Sequence, residues 1–169
     1  MKKNLVLVGM MGVGKTSVGK IVAQKQDLKF IDTDTNIEKK CDMTIYEIFS
    51  KKGEKFFRNQ EEQEVLKILK KKECIIALGG GAFINKAIRS EILKNAVSIW
   101  LDVNLKILTT RLLKSKKRPL LNTENKENEI NKLFSERKNI YKLANYRIDC
   151  KNMNKKNISQ KIIKLYEKN

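Results

Sequence analysis

One short segment, Gly9–Thr16, has the residue types and spacing of a phosphate-binding loop. It reads Gly-Met-Met-Gly-Val-Gly-Lys-Thr and fits the pattern Gly-x-x-x-x-Gly-Lys-Ser/Thr. In this pattern the glycines let successive backbone N–H groups point at phosphate oxygens, and the helix that follows adds the positive end of its dipole. We expect Lys15 to reach the β- and γ-phosphates and Thr16 to bind Mg²⁺ through its hydroxyl. A glycine-rich turn without a ligand is the competing interpretation.

Two carboxylates, Asp32 and Asp34, follow a short apolar run and are two residues apart. At the carboxyl end of a strand this spacing directs both to the same side, at the edge where α/β sheets bind ligands. One carboxylate can help to hold Mg²⁺, and the other can accept a hydrogen bond from an attacking hydroxyl. The chain has no histidine, so a general base would have to be a carboxylate. The alternative is that either aspartate merely caps the next helix.

Arginine is rare in this chain, which has 31 lysines and six arginines. Because lysine serves wherever any cation will do, a retained arginine indicates a need for a planar, bidentate guanidinium. Arg58 precedes Glu61 by three residues, so on a helix the two can pair and orient the guanidinium. The functional interpretation is a clamp for a substrate carboxylate. The alternative is a surface ion pair that contributes little.

Three consecutive glycines, Gly79, Gly80 and Gly81, come directly after another apolar run. They remove every side chain from the end of the predicted strand, so a ligand can approach the backbone closely. A loose turn is the alternative, but it would not need three glycines.

Five short apolar or β-branched runs predict the strands that must position these residues. They are Leu5–Val8, Lys29–Asp32, Cys74–Leu78, Ala96–Leu101 and Tyr146–Cys150. Segments with helical periodicity separate them, which predicts an α/β fold with a parallel sheet and helices on both faces. Residues 33–70 contain more helix than a crossover needs and are the candidate substrate-binding insertion. Residues 114–128 are polar, contain the single proline and are the candidate mobile lid, all within one domain of residues 1–169.

Composition narrows the possible partners. No stretch approaches the ~18–20 apolar residues that span a bilayer, so we expect no membrane partner and a cytoplasmic location. The three cysteines are far apart and match no zinc or redox spacing. The net charge of +18 suggests anionic partners, but the lysines are spread almost evenly along the chain. That distribution favours a lysine-rich surface over a nucleic-acid footprint, so we expect no nucleic-acid partner.

Together these segments resemble the shikimate kinase family, and the resemblance covers almost the whole chain. It rests on Gly9–Thr16, Asp32-Thr33-Asp34, Gly53-Glu54-x-x-Phe57-Arg58, Gly79-Gly80-Gly81, Arg118-Pro119-Leu120-Leu121, and Arg137 followed by Tyr141. It implies a five-stranded parallel sheet with the P-loop kinase architecture of the nucleoside monophosphate kinases. It also implies transfer of the γ-phosphoryl group of ATP to the 3-hydroxyl of shikimate, with Mg²⁺ as cofactor, in chorismate and aromatic amino-acid biosynthesis.

The resemblance also implies a role for individual residues. The ATP-binding residues would be Gly12, Val13, Gly14, Lys15, Thr16, Ser17, Arg111 and Arg118. The shikimate-binding residues would be Asp34, Arg58, Gly79, Gly80, Gly81 and Arg137. Asp34 would be the candidate base, with Lys15 and Arg118 completing the catalytic set. Thr16 and Asp32 would hold Mg²⁺.

The adenine side of the site departs from the family pattern. Arg111 would lie along the adenine, but family members often carry a further arginine near the last loop, and residues 151–155 have none. Backbone contacts or a lysine would have to replace it. The family analogy also implies a monomer.

Two other functions stay open at the level of sequence. Another P-loop small-molecule kinase, such as a gluconate or nucleoside monophosphate kinase, would explain the phosphate loop and the lid. It explains the paired aspartates, Arg58 and the glycines less well.

A nucleic-acid-binding module would use the net charge, but the chain lacks a basic-aromatic cluster. A GTPase would show Asn-Lys-x-Asp, which is missing.

Overall fold

A computed structural model describes residues 2–114 and 125–169, and all five predicted strands are present in it. The strands are β1 (Asn4–Val8), β2 (Lys29–Asp32), β3 (Cys74–Ala77), β4 (Ala96–Asp102) and β5 (Tyr146–Asp149). The predicted bounds differ from these by one residue at β1, β3, β4 and β5. Trp100 lies inside β4, where it is 2% exposed and belongs to the main core.

The strands form one parallel sheet in the order β2-β3-β1-β4-β5. The central strand β1 pairs with β3 through Leu5 and Ile75 and with β4 through Leu5 and Val97. It is buried along its whole length, as expected for a strand covered on both faces. The order makes β2, β3 and β1 neighbours, so the segments that follow these three strands must meet at one edge of the sheet.

Seven α-helices are formed by the described residues. They are α1 (Lys15–Gln26), α2 (Thr33–Cys41), α3 (Ile45–Leu69), α4 (Lys86–Asn95), α5 (Leu105–Leu113), α6 (Lys126–Tyr141) and α7 (Lys155–Tyr166). The connection from β1 to β2 runs along the sheet in the opposite direction to the later ones, so right-handed crossovers place α1 on the opposite face from α3 and α4. Helix α7 packs on α1, whereas α4 packs on α3 and β4. The α/β prediction with helices on both faces is confirmed.

The predicted insertion, residues 33–70, consists of α2 and α3 and has a small core of its own. Ile37, Ile48 and Phe57 form this core, separate from the main one. Helix α3 begins with a capping box, in which the N–H of Glu47 donates to the Thr44 hydroxyl and the N–H of Thr44 donates to the Glu47 carboxylate. The separate core gives the insertion a fixed shape against the sheet.

A kink at Gly53 divides α3 into two parts. The residue has φ 84° and ψ 166°, a combination that essentially only glycine adopts. A Cβ atom at this position would meet nothing within 4 Å, so backbone conformation rather than space requires the glycine. The kink lets residues 45–52 and 54–69 face the same cavity from different directions.

The predicted lid lies mainly outside the described residues, which omit 115–124. Its last three residues, 126–128, form the first turn of α6. Within the two described ranges, none of the helices combines the length and the apolar character that crossing a bilayer requires.

Candidate active site

Three motif segments meet at the carboxyl edge of the sheet. The phosphate loop follows β1, the paired aspartates end β2 and begin α2, and the three glycines follow β3 after Leu78. Two adjoining cavities lie between these segments, and motif residues line both of them.

The first cavity, here called the phosphate cavity, is polar and lies over the phosphate loop. Its lining residues are Met11, Gly12, Gly14, Lys15, Thr16, Ser17, Asp32, Asp34, Ala77, Leu78 and Gly80. Gly12 and Gly14 have φ values of 79° and 100°, so the loop turns in the way that only glycine allows without strain. The Lys15 ammonium donates to the carbonyls of Gly9 and Met10, at 2.8 Å each. Val13 is buried beneath the loop, away from the cavity wall.

Thr16 and Asp32 form a pair of oxygen ligands at one side of the phosphate cavity. The Thr16 hydroxyl donates to Oδ2 of Asp32 at 2.6 Å, while Oδ1 of Asp32 accepts from the N–H of Thr35 at 3.2 Å. Asp32 therefore caps α2 with one oxygen and faces Thr16 with the other, so the role of a helix cap and the role of a Mg²⁺ ligand are compatible. Hydroxyl and carboxylate oxygens fit Mg²⁺, which usually keeps several waters and substrate phosphates as its other ligands. No group of three acidic, cysteine or histidine side chains in the described ranges could hold a metal alone.

The second cavity, here called the acceptor cavity, combines an apolar wall with charged groups. It is lined by Met11, Asp34, Ile45, Phe49, Phe57, Arg58, Glu61, Gly80, Gly81 and Arg137. It shares Met11, Asp34 and Gly80 with the phosphate cavity. A molecule in the acceptor cavity and a phosphate on the loop would therefore meet beside Asp34.

Two glutamates hold the Arg58 guanidinium within the acceptor cavity. Its Nη1 donates to Glu61 at 2.8 Å, and its Nε and Nη2 donate to the same oxygen of Glu54 at 3.2 and 3.1 Å. The predicted pair with Glu61 forms, and Glu61 is only 2% exposed. This is not the surface ion pair of the alternative interpretation, because one partner is buried.

The charges in the acceptor cavity influence each other strongly. Burial raises the pKa of Glu61, and the negative charge of Asp34 raises it further, although Arg58 and Arg137 oppose this. Burial alone would lower the pKa of Arg58, but the adjacent Glu61 and Glu54 outweigh it and raise that pKa. The guanidinium therefore stays charged, as a carboxylate clamp requires.

Arg137 and Tyr141 enter the same region from α6. Arg137 is 7% exposed, and its Nη1 has no hydrogen-bond partner among the described residues. Burial raises the pKa of Tyr141 to about 12, so its hydroxyl keeps its proton and donates to the carbonyl of Gly80 at 2.5 Å. A buried, unpaired guanidinium nitrogen is costly, and an anionic ligand is the kind of partner that would satisfy it.

Two of the three glycines, Gly79 and Gly81, make room for charged side chains of the protein itself, whereas Gly80 makes room for the backbone of Met11. A Cβ atom at Gly79 would lie 2.5 Å from Oδ1 of Asp34, and one at Gly81 would lie 2.5 Å from Nη1 of Arg58. None of the three has a positive φ, so space rather than conformation requires them. The sequence predicted an approach by a ligand only. The N–H of Gly79 already donates to the Thr33 hydroxyl, which leaves Gly80 and Gly81 as the better candidates for ligand contacts.

The remaining arginines have separate roles. Arg111 is exposed near the end of α5 and lines neither cavity, so its predicted contact with adenine stays a prediction. Arg118 lies outside the described residues. Arg89 is partly buried, and its Nη1 donates to the carbonyls of Phe83 and Ile84. Arg147 binds Asp102 and lies over the Trp100 ring.

The shikimate kinase family model matches residues 11–167 of the chain. The chain belongs to the shikimate kinase family. Among curated proteins, the shikimate kinase of Bartonella henselae is 43% identical over 160 residues, which is 95% of this chain and 76% of the relative.

Solved shikimate kinases also share the whole fold with this family member. The shikimate kinase from Acinetobacter baumannii in complex with shikimate superimposes with a TM-score of 0.95 and 32% identity, over 99% of this chain and 94% of the other. A gluconokinase from Sinorhizobium meliloti shares only the fold, with a TM-score of 0.61 and 13% identity over 98% and 92% of the two chains. The family and its five-stranded fold are confirmed, and gluconate phosphorylation gains no support from a likeness of this degree.

Some site residues of this shikimate kinase family member were not found from its sequence. The ion pair of Glu54 with Arg58 could have been predicted, because the two are four residues apart on a helix. The contact between Thr33 and Gly79 could not, because 46 residues separate them. The apolar wall of Met11, Ile45 and Phe49 also depends on how the insertion packs against the phosphate loop.

Proposed function

We propose that this chain transfers the γ-phosphoryl group of ATP to the 3-hydroxyl of shikimate, giving shikimate 3-phosphate and ADP. The observation that carries the proposal is the meeting of two cavities at Asp34, one over the phosphate loop and one that contains Arg58 and Arg137. The relative from Acinetobacter baumannii, which shares the whole fold, is described in complex with shikimate.

Arg58 and Arg137 are the proposed clamp for the shikimate carboxylate. A guanidinium has five N–H groups, and Glu54 and Glu61 use three of those of Arg58. Two N–H groups of Arg58 therefore bind no other described residue, and two are enough to hold one carboxylate in a bidentate manner. Nη1 of Arg137 is buried and without a hydrogen-bond partner in the same residues. The clamp would hold the ring by its carboxylate, while the apolar wall excludes water.

The phosphate loop is the proposed site for the triphosphate of ATP. Backbone N–H groups from Gly12 to Ser17 would bind phosphate oxygens, and Lys15 would turn from the loop carbonyls toward the β- and γ-phosphates. The proposed roles of Arg118 over the phosphates and Arg111 along the adenine rest on the family pattern. Thr16 and Asp32 would hold Mg²⁺, which neutralises charge on the phosphates when it is bound.

Asp34 is the proposed partner of the acceptor hydroxyl. The hydroxyl oxygen would attack the γ-phosphorus as the bond from phosphorus to the β–γ bridging oxygen breaks, and ADP would leave with that oxygen. Asp34 would orient the hydroxyl by accepting its hydrogen bond and would take its proton. Such a reaction depends mainly on alignment of the reactants and on compensation of their negative charge. Arg58 and Arg137 would compensate the charge of the shikimate carboxylate, and Lys15 would compensate that of the phosphates. A monomeric state and a cytoplasmic location stay predictions.

The test is ADP release from Mg-ATP in a coupled assay, with shikimate, gluconate and AMP offered separately. We expect ADP release to be stimulated by shikimate alone. Stimulation by gluconate or AMP instead, or equal release without any acceptor, would keep the phosphate loop but overturn the roles of Arg58 and Arg137. A Lys15→Ala variant, which lacks the phosphate contact, controls for contaminating kinases.

A further inference from the structure

Thr33 lies between the two aspartates of the site, and its side chain points away from both cavities. The residue is completely buried and lines neither the phosphate cavity nor the acceptor cavity. Asp32 before it binds Thr16, and Asp34 after it borders both cavities. A side chain in this place can affect the reaction only through other residues.

The Thr33 hydroxyl joins the start of α2 to the end of β3. It donates to the carbonyl of Ala77 at 3.3 Å and accepts from the N–H of Gly79 at 2.9 Å. Both partners are backbone groups in a buried part of the sheet edge, where an unpaired polar group is costly. The Thr33 hydroxyl therefore fixes the position of the glycine segment, Gly79–Gly81, relative to Asp32 and Asp34.

Gly79 is the neighbour that limits where the Asp34 carboxylate can lie. The position of a Cβ atom on Gly79 is 2.5 Å from Oδ1 of Asp34 and 2.9 Å from Oε1 of Glu61. The Gly79 backbone thus forms a wall against both carboxylates. A small displacement of this wall would change the direction of the Asp34 carboxylate, and near-attack geometry is sensitive to shifts of about 1 Å.

We propose that Thr33 is a positioning residue whose hydroxyl fixes Gly79 against Asp34, and so holds the Asp34 carboxylate toward the acceptor hydroxyl. The inference rests on the proposed function, because it assumes that Asp34 faces the acceptor. It separates two tasks within the Asp-Thr-Asp segment. Thr33 acts on the acceptor side, whereas its hydroxyl contacts neither the phosphate loop nor the Thr16–Asp32 pair, and touches the lining of the phosphate cavity only at the Ala77 carbonyl.

The experiment compares Thr33→Val, which keeps the shape and loses the hydroxyl, with Thr33→Ser, which keeps the hydroxyl. Turnover with shikimate is measured per nucleotide-binding site, counted by titration with a fluorescent ATP analogue, so that unfolded protein does not contribute. We expect the valine variant to lose about tenfold or more in kcat while KM for ATP changes less than about twofold. The serine variant should stay within about threefold of the wild type in kcat.

Two results would overturn the positioning role. One is a valine variant that binds the ATP analogue and turns over shikimate as fast as the wild type. The other is a serine variant as slow as the valine variant, because then the hydroxyl is not the group that matters. If the valine variant does not fold, Thr33→Ala carries the same expectation. A wild type that ignores shikimate would overturn the proposed function instead, which the same assay reveals before any variant is made.

Discussion

At the scale of the residue, the scarcity of arginine is informative in more than one way. The sequence predicts that arginine persists where a ligand needs a planar, bidentate guanidinium, and Arg58 and Arg137 line the acceptor cavity. Arg89 and Arg147 use their guanidinium groups within the protein: Nη1 of Arg89 donates to two carbonyls, and Nε and Nη2 of Arg147 donate to one carboxylate oxygen of Asp102. Arginine in a lysine-rich chain therefore marks a need for several directed hydrogen bonds, whether the acceptor is a ligand or the protein.

Replacing Arg58 by lysine should weaken acceptor binding without affecting ATP. A lysine cannot reproduce the planar fork held by Glu54 and Glu61, so KM for shikimate should rise by the equivalent of about 1–3 kcal/mol. Steady-state kinetics with each substrate varied in turn measures this. The matched control is Arg147→Lys, whose ion pair with Asp102 lies outside the lining of either cavity. An unchanged KM for shikimate in Arg58→Lys would exclude the clamp.

Replacing Asp34 by asparagine should affect turnover much more than nucleotide affinity. The amide keeps the size of the carboxylate but is a far weaker base, so we expect kcat to fall by about 100-fold or more, within the range of general-base contributions. ATP affinity, measured by titration, should change little. Asp27→Asn, at an exposed helix end, is the control. Equal losses in turnover and ATP affinity would show that Asp34 is structural.

At the scale of the element, the sequence predicts the strands closely and the site only in part. Short buried runs bounded by glycine, aspartate or asparagine locate all five strands to within one residue at each end. The strand order, which brings the three motifs together, depends on pairings between distant strands such as β1 with β4 and was not predicted from the sequence. The close packing of Gly79 against Asp34 and of Gly81 against Arg58 is visible only in the three-dimensional structure, because these residues are distant in the sequence.

The glycine segment gives a pair of contrasting predictions. In Gly79→Ala the new methyl group would press on Asp34, so kcat should fall by about 100-fold, the scale of a 1 Å misplacement. In Gly81→Ala it would press on Arg58, so KM for shikimate should rise by about tenfold, or 1.4 kcal/mol. Neither position has a positive φ, so both variants should fold, which circular dichroism can check.

The two alanine variants serve as controls for each other. If both lower kcat and raise KM to the same extent, the segment acts as one flexible loop and the separate contacts seen here have no separate roles. If neither variant changes kcat or KM, the Asp34 and Arg58 side chains can move away from the added methyl groups without affecting the reaction.

At the scale of the whole molecule, the net charge of +18 should attract both anionic substrates. A positive field raises the local concentration of anions, and salt screens it with a Debye length of about 10 Å at 0.1 M. We expect kcat/KM for ATP to fall severalfold between roughly 0.05 and 0.5 M KCl, with kcat nearly constant. Sucrose at equal osmolarity is the control. A fall in kcat with unchanged kcat/KM would mean that salt acts on the bound complex and not on encounter.

The decisive test of the proposed function is the identity of the product. After turnover with Mg-ATP and shikimate, phosphorus–proton correlation NMR shows which ring position carries the new phosphate. We expect one monoester, with its phosphorus coupled to the proton on carbon 3, because Asp34 is the one carboxylate among the described residues that borders both cavities and is the proposed partner of the 3-hydroxyl. Phosphate on another hydroxyl, or inorganic phosphate as the sole product, would contradict it.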